Sequence, residues 1–93
     1  MTFDLDRIRA HFPALSLLHD GGPRVYLDNP AGTQVPSMVT EAISNCMLSS
    51  SANLGGYFPT SQAAEQVIAS ARVAMADFLN APSPDEIVFG QNM

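Results

Sequence analysis

Two stretches of helical hydrophobic spacing, 36–48 and 61–80, constrain this 93-residue chain more than any other feature. Apolar residues recur there every three or four positions, a pattern that places one face of each helix against a core. Pro36 suits the first turn of the first helix, and Thr60 or Ser61 can cap the second. The sequence therefore predicts two long helices separated by a loop.

Shorter segments predict the remaining elements. Residues 3–12 carry acidic side chains before arginines, an order that suits the dipole of a short helix. Residues 24–28 and 86–89 combine β-branched and aromatic residues with flanking turn residues, and both are predicted to be strands. Glycine and proline predict loops at 19–23, 29–33 and 53–59. Together these elements predict a mixed α/β piece.

Composition and charge argue against several classes of partner. Hydrophobic residues make up 46% of the chain and charged residues 14%, which is typical of a globular protein. The four basic residues are all arginines, and nine acidic residues give a net charge of −5. Without a basic patch, we expect binding neither to nucleic acid nor to anionic membranes. No apolar run reaches the ~18 residues of a membrane span and no signal peptide is evident, so we expect a soluble, cytoplasmic protein.

The side chains that most often carry metal or redox chemistry are scarce. Cys46 is the single cysteine, so no internal disulfide is expected, and its place on an apolar helix face predicts a buried core residue. One cysteine and two histidines give no zinc ligand set, and no metal site is expected. His11 and His19 are predicted to have surface or capping roles, and Asp28 is predicted to cap the turn that follows it.

The chain closes on an apolar strand and an unfinished turn, with the sequence EIVFGQNM. A domain seldom leaves a strand of this kind unpaired at its terminus. We therefore expect the chain to be the front part of something longer. The alternative is that this strand is a lone edge.

Four segments resemble one family, in order and with matching spacing. They are FPAL at 12–15, VYLDNPAGTQVP at 25–36, NLGGYFPTS at 53–61 and ADFLNAPSPDEIVFGQNM at 76–93. Together they resemble the N-terminal quarter of the class V aminotransferase group, in the branch that contains cysteine desulfurases and selenocysteine lyases. These are enzymes that depend on pyridoxal 5'-phosphate (PLP).

The resemblance implies a fold and a general function. The fold would be α/β: the N-terminal arm, two long helices and first sheet strand of a fold-type I PLP-dependent transferase. Residues 1–93 would form an incomplete, helix-rich portion of the class V domain, with no complete independent domain. The full-length protein would be a homodimer that binds PLP and acts on an amino acid, by C–S bond cleavage or by transamination.

For the loop predicted over 29–33, the resemblance implies a substrate-binding role. Asn29, Ala31 and Gly32 match a small-residue segment that lines the substrate side of the active site in relatives. Small side chains there leave room for the substrate carboxylate and let backbone amides approach it. We also expect the backbone of Gly32 to have unusual dihedral angles, which a β-branched residue would resist. Pro30 departs from the alanine usual in the family.

The loop predicted over 53–59 and the last residues of the chain complete the site that the resemblance implies. Asn53, Gly55 and Gly56 match a loop that reaches across the dimer interface in relatives, although the histidine and arginine common there are absent. That absence puts desulfuration itself in question. Asn92 and Met93 match the start of the cradle that holds the PLP phosphate, usually at a helix N-terminus. Since the chain has no lysine for a Schiff base, no catalytic residue is expected within it.

Two further interpretations remain open at this point. The chain could be a non-enzymatic, acidic interaction module, or a truncated gene product that keeps part of the scaffold. Within PLP enzymes, the reaction could be transamination, epimerisation or kynureninase-like cleavage. The residues that choose between these reactions are not among the matched segments.

Overall fold

The computed structural model describes residues 2–91 and separates into two compact units, Met1–Ser44 and Asn45–Met93. Within the described residues there are three α-helices, two short strands and two 3-10 turns. Helices thus dominate, as predicted, and each unit is described by itself below.

The arm of the first unit contains helix α1, Leu5–Arg9. Its N-cap is Asp4, whose carboxylate accepts a hydrogen bond of 3.0 Å from the backbone N–H of Arg7. This bond satisfies one of the free N–H groups at the start of the helix. The helix predicted over 3–12 is confirmed but shorter, and a 3-10 turn over Pro13–Ser16 follows it.

A small antiparallel hairpin follows the arm. Strand β1, Leu18–His19, pairs with strand β2, Gly22–Pro23. The two turn residues, Asp20 and Gly21, have φ angles of 50° and 79°. Two successive left-handed residues are what a two-residue hairpin turn requires, because they match the twist of the strands. The turn predicted over 19–23 is confirmed.

The strand predicted over 24–28 is wrong. The N–H of Arg24 still donates to the carbonyl of Leu17 at 3.1 Å, which extends the hairpin by one bond. Beyond it, Val25 and Leu27 are 75% and 91% exposed. A strand needs backbone partners on a neighbouring strand, and no segment among residues 2–91 pairs with this one.

Helix α2 spans Ser37–Ser49, within one residue of the predicted 36–48. The backbone N–H of Ser37 donates to the carbonyl of His11 at 2.9 Å. The N-terminal arm therefore provides a partner for one of the free N–H groups at the start of the helix. None of the described residues of α2 is buried. The prediction that Cys46 is a buried core residue is therefore wrong, since its side chain is half-buried.

Helix α3 spans Pro59–Leu79, two residues earlier at its start than predicted. Pro59 takes the first helical position because its fixed φ fits a helix and its missing N–H would have no partner there. The N-cap is consequently Phe58, which makes no side-chain capping bond. The predicted capping by Thr60 or Ser61 is wrong, because both lie inside the first turn.

The C-terminus of α3 ends in a left-handed residue. Asn80 has a φ of 54°, and its N–H contacts the carbonyls of Ala76 and Asp77. The N–H of Ala81 donates to the carbonyl of Ala76 at 2.8 Å. Asparagine tolerates this conformation better than most residues, so it ends the helix without a glycine.

A 3-10 turn over Pro84–Glu86 packs against α3 in the second unit. The buried apolar residues here are Ala64, Ala76 and Ile87. The strand predicted over 86–89 is wrong, since residues 87–91 are irregular and the side chains of Val88 and Phe89 are exposed. As with 24–28, no partner strand lies beside this segment within the described part of the chain.

Much apolar surface stays exposed. The chain exposes 8149 Å², whereas a folded monomer of 93 residues exposes about 5,200 Å² by the usual scaling with mass. Large apolar side chains that are exposed on the helices include Ile43, Met47, Leu48, Val73, Phe78 and Leu79. The excess is consistent with a partial domain. None of the described helices is both long and apolar enough to cross a membrane.

We expect the isolated 93-residue chain to self-associate or to unfold without cooperativity, because its apolar helix faces lack the surfaces that would cover them. Size-exclusion chromatography and urea titration measure both properties. A monomer that unfolds in one sharp transition would contradict this prediction and would favour an independent interaction module.

Candidate functional site

The segment that carries Asn29, Ala31 and Gly32 forms consecutive tight turns. The N–H of Ala31 donates to the carbonyl of Asp28 at 3.2 Å, and that of Gly32 donates to the carbonyl of Asn29 at 3.0 Å. The hydroxyl of Thr33 donates to the same Asn29 carbonyl at 3.4 Å. The structure thus brings the three predicted substrate residues into one exposed turn, and Asp28 closes it with its backbone carbonyl.

Hydrogen bonds on either side hold this turn in place. The hydroxyl of Tyr26 donates to the carbonyl of Ala14 at 3.2 Å, and the N–H of Ser37 donates to the carbonyl of His11. Both acceptors belong to the N-terminal arm. The arm therefore anchors the two ends of the segment and leaves the turn between them on the surface.

Gly32 differs from the prediction in one respect. Its φ is not positive, so the expected unusual dihedral angles are absent. A Cβ added there would meet nothing within 4 Å. Gly32 therefore leaves space beside the turn, in a shallow depression of about 340 Å³ that it lines with Ala31. Its own N–H and that of Ala31 already have partners, so these two amides are not free for a carboxylate.

The second predicted loop covers residues 53–59, and its first four residues, 53–56, are called the glycine loop below. Its backbone is bonded to two side chains of α3. The hydroxyl of Ser61 donates to the carbonyl of Asn53 at 2.6 Å and accepts from the N–H of Gly56 at 2.8 Å. The carboxylate of Glu65 accepts from the N–H of Gly55 at 2.6 Å. Each of the three predicted loop residues is thus fixed to the helix that follows.

The two glycines of the glycine loop have different reasons to be glycine. Gly55 has a φ of 85°, a left-handed conformation that side chains resist. A Cβ on Gly56 would overlap the ring of Phe58. The backbone of the glycine loop therefore favours glycine at position 55, whereas a side chain at position 56 would displace the half-exposed ring of Phe58.

Sequence reasoning missed the role of Ser61, whose side chain is fully buried. A signal for it exists in the helix pattern. Ser61 lies three residues before Ala64 and seven before Ile68, so it falls on the apolar face of α3. A hydroxyl on a buried face needs a partner, and the carbonyl and N–H groups of the preceding loop are the nearest candidates.

The titratable side chains among the described residues form no second cluster. The His19 imidazole lies 3.4 Å from the Asp20 carboxylate, and both side chains are highly exposed. In residues 2–91, no three His, Cys, Asp or Glu side chains are grouped closely enough to hold a metal ion. Asn92 and Met93, the predicted phosphate-binding residues, lie outside the described residues.

Comparison with known sequences defines the class of protein. The profile of the family described as aminotransferase class-V matches residues 25–93. The chain therefore belongs to the class V aminotransferase family, as the resemblance predicted.

Individual relatives match almost the whole chain. It is 43% identical over 91 residues to a "Probable cysteine desulfurase" of Vibrio cholerae serotype O1, covering 96% of this chain and 22% of the relative. The same coverage holds for a "Probable cysteine desulfurase" of Streptomyces coelicolor at 40% identity. A "Cysteine desulfurase" of Yersinia pseudotuberculosis is 37% identical over 90 residues, again with coverage of 96% and 22%. The chain thus spans about a fifth of the length of these curated relatives.

The different backbone conformations of Gly55 and Gly32 predict different effects of an alanine substitution at the two positions. Gly55→Ala forces a side chain into the left-handed region at a cost of about 1–2 kcal/mol, so the glycine loop should open roughly 5 to 30 times more often. Gly32→Ala is the control, because its backbone and surroundings accept a Cβ. The measurement is the rate at which chymotrypsin cleaves the complete protein that contains this chain after Leu54 or Tyr57, mapped by mass spectrometry. Equal rates in the two variants would show that the strain at Gly55 does not hold the loop.

Proposed function

We propose that this chain is part of a PLP-dependent enzyme that acts on an amino acid, with cleavage of a cysteine or selenocysteine C–S or C–Se bond as its reaction. The observation that carries the proposal is 43% identity to a "Probable cysteine desulfurase" over 96% of the chain. The family match over residues 25–93 supports the PLP-dependent class of enzyme, without a choice between the reactions. Transamination is the alternative within the same family.

The described residues do not by themselves fit PLP. The aldehyde of the cofactor needs a primary amine, and the chain has no lysine. Its phosphate needs free N–H donors, but the N–H groups of Gly55 and Gly56 are occupied by Glu65 and Ser61. A carboxylate beside Gly55 would also repel a phosphate. In this proposal the glycine loop does not hold the PLP phosphate, and the lysine that binds the aldehyde is not among residues 1–93.

The share of the site that we propose for these residues is structural and substrate-facing. The turn that contains Asn29, Ala31 and Gly32 would border the amino-acid substrate, since it is exposed and leaves space beside Gly32. The glycine loop would lie at the contact between the two subunits of a homodimer, near the active site. In this proposal the N-terminal arm and the helices belong to a fold-type I enzyme.

The proposal predicts a clear division of activity. The complete protein that contains this chain should convert L-cysteine to alanine and sulfane sulfur when PLP is bound. Added dithiothreitol, which is oxidised to its cyclic disulfide, should then release that sulfur as sulfide. Borohydride reduction should attach the cofactor to a lysine outside residues 1–93. The 93-residue chain alone, treated in the same way, should show neither turnover nor a stoichiometric adduct within residues 25–93.

Controls separate the possible reactions. Incubation of the complete protein with L-alanine and a 2-oxo acid measures transamination under the same conditions. Transamination without sulfide release would replace desulfuration by the alternative reaction. A complete protein that retains no PLP and turns over no amino acid would contradict the proposed function.

A further inference from the structure

The side chain of Ser61 is unusual because it is a fully buried hydroxyl inside a helix. Its hydrogen-bonding directions are fixed by its partners. A carbonyl oxygen accepts only, so the hydroxyl donates to Asn53, and an N–H donates only, so the hydroxyl accepts from Gly56. Ser61 therefore links the first and last residues of the glycine loop through one oxygen atom.

Glu65 lies one helical turn after Ser61 on α3. Residues four apart on a helix face the same side, and these two side chains contact successive backbone amides of the loop. The bond from Gly55 to Glu65 is 2.6 Å long and charge-assisted, which makes it stronger than a neutral bond. The helix thus holds the glycine loop at three backbone positions.

The outward side of the glycine loop is consequently fixed as well. With its polar backbone groups turned towards α3, Leu54 is half exposed, and Tyr57, which follows the loop, is almost completely exposed. A loop held in its working conformation pays less ordering entropy when it meets a substrate or a second subunit.

We propose that Ser61 and Glu65 are positioning residues, which set the glycine loop in the conformation that the enzyme uses to bind its amino-acid substrate. The link to the substrate rests on the proposed function, whereas the positioning rests on the hydrogen bonds alone. Neither side chain is proposed to touch the substrate. Both act through the backbone of Asn53, Gly55 and Gly56.

The hydrogen-bonding groups of Ser61 and Glu65 predict which substitutions keep the glycine loop in place. Ser61→Ala removes both bonds and leaves a carbonyl and an N–H without their partner. Glu65→Gln keeps an oxygen acceptor for Gly55, so it should preserve most of the effect. Glu65→Ala removes that acceptor at an exposed position where the fold tolerates a small side chain.

The experiment uses the complete protein that contains the chain, with the variants Ser61→Ala, Glu65→Ala and Glu65→Gln. Ser70→Ala is the matched control, because Ser70 lies on the exposed side of α3. Hydrogen–deuterium exchange of a peptide covering residues 53–58 measures the loop. The KM and kcat for L-cysteine and the PLP absorbance measure function.

We expect exchange in the loop to rise roughly tenfold to hundredfold in Ser61→Ala, as the loss of buried hydrogen bonds implies. Glu65→Ala should raise it by roughly tenfold, with Glu65→Gln and Ser70→Ala close to the wild type. KM should rise by the factor by which the closed fraction of the loop falls, a fraction that the exchange rates give, with kcat within about twofold and PLP occupancy unchanged. A substitution that acted only on overall stability would lower PLP occupancy and kcat together.

The outcomes distinguish the two proposals. Unchanged exchange in both Ser61→Ala and Glu65→Ala overturns the positioning role, whatever the activity. A KM that does not follow the closed fraction of the loop overturns the link between the loop and the substrate. Faster exchange in a protein that turns over no amino acid, even as the wild type, overturns the proposed function and supports positioning of the loop. If Ser61→Ala does not fold, the pair Glu65→Ala and Glu65→Gln decides the question.

Discussion

The buried hydroxyl of Ser61 is the interaction on which the structure of the candidate site most depends. A hydroxyl removed from water is costly unless it is paired, and this one pairs twice with the backbone of the glycine loop. Its partners lie in an exposed loop that contains a left-handed glycine, so the loop would otherwise have many conformations available. One side chain on α3 therefore converts a flexible sequence into a defined surface, with Glu65 adding a third bond.

The first unit achieves a similar result by different means. The turn at Asn29–Gly32 is held from its two ends, by the bond from Tyr26 to Ala14 and by the bond from Ser37 to His11. Both loops are thus positioned by neighbouring elements and leave their outer faces exposed. Together with the apolar helix faces, this is what we expect of residues that border a site within the larger enzyme proposed above.

The helices could be predicted from the sequence because their hydrogen bonds and hydrophobic spacing are local. The strands at 24–28 and 86–89 could not, because a strand exists only beside a partner, and residues 2–91 supply none. Glycine and proline correctly predicted the loops at 29–33 and 53–59, but not the hydrogen bonds that hold them. A hydroxyl side chain near a helix start favours capping, which the sequence predicts for Thr60 or Ser61. Pro59 instead takes the first helical position, and Ser61 is buried inside the helix.

A crystal structure of the complete protein that contains this chain tests the central claim most directly. The account predicts that the Ser61 hydroxyl lies within hydrogen-bonding distance of both the Asn53 carbonyl and the Gly56 N–H, with the apolar faces of α2 and α3 covered. It also predicts that residues 86–89 become a strand once neighbouring strands are present. A glycine loop detached from Ser61 and Glu65, with those side chains bonded elsewhere, would contradict the claim that α3 positions this loop.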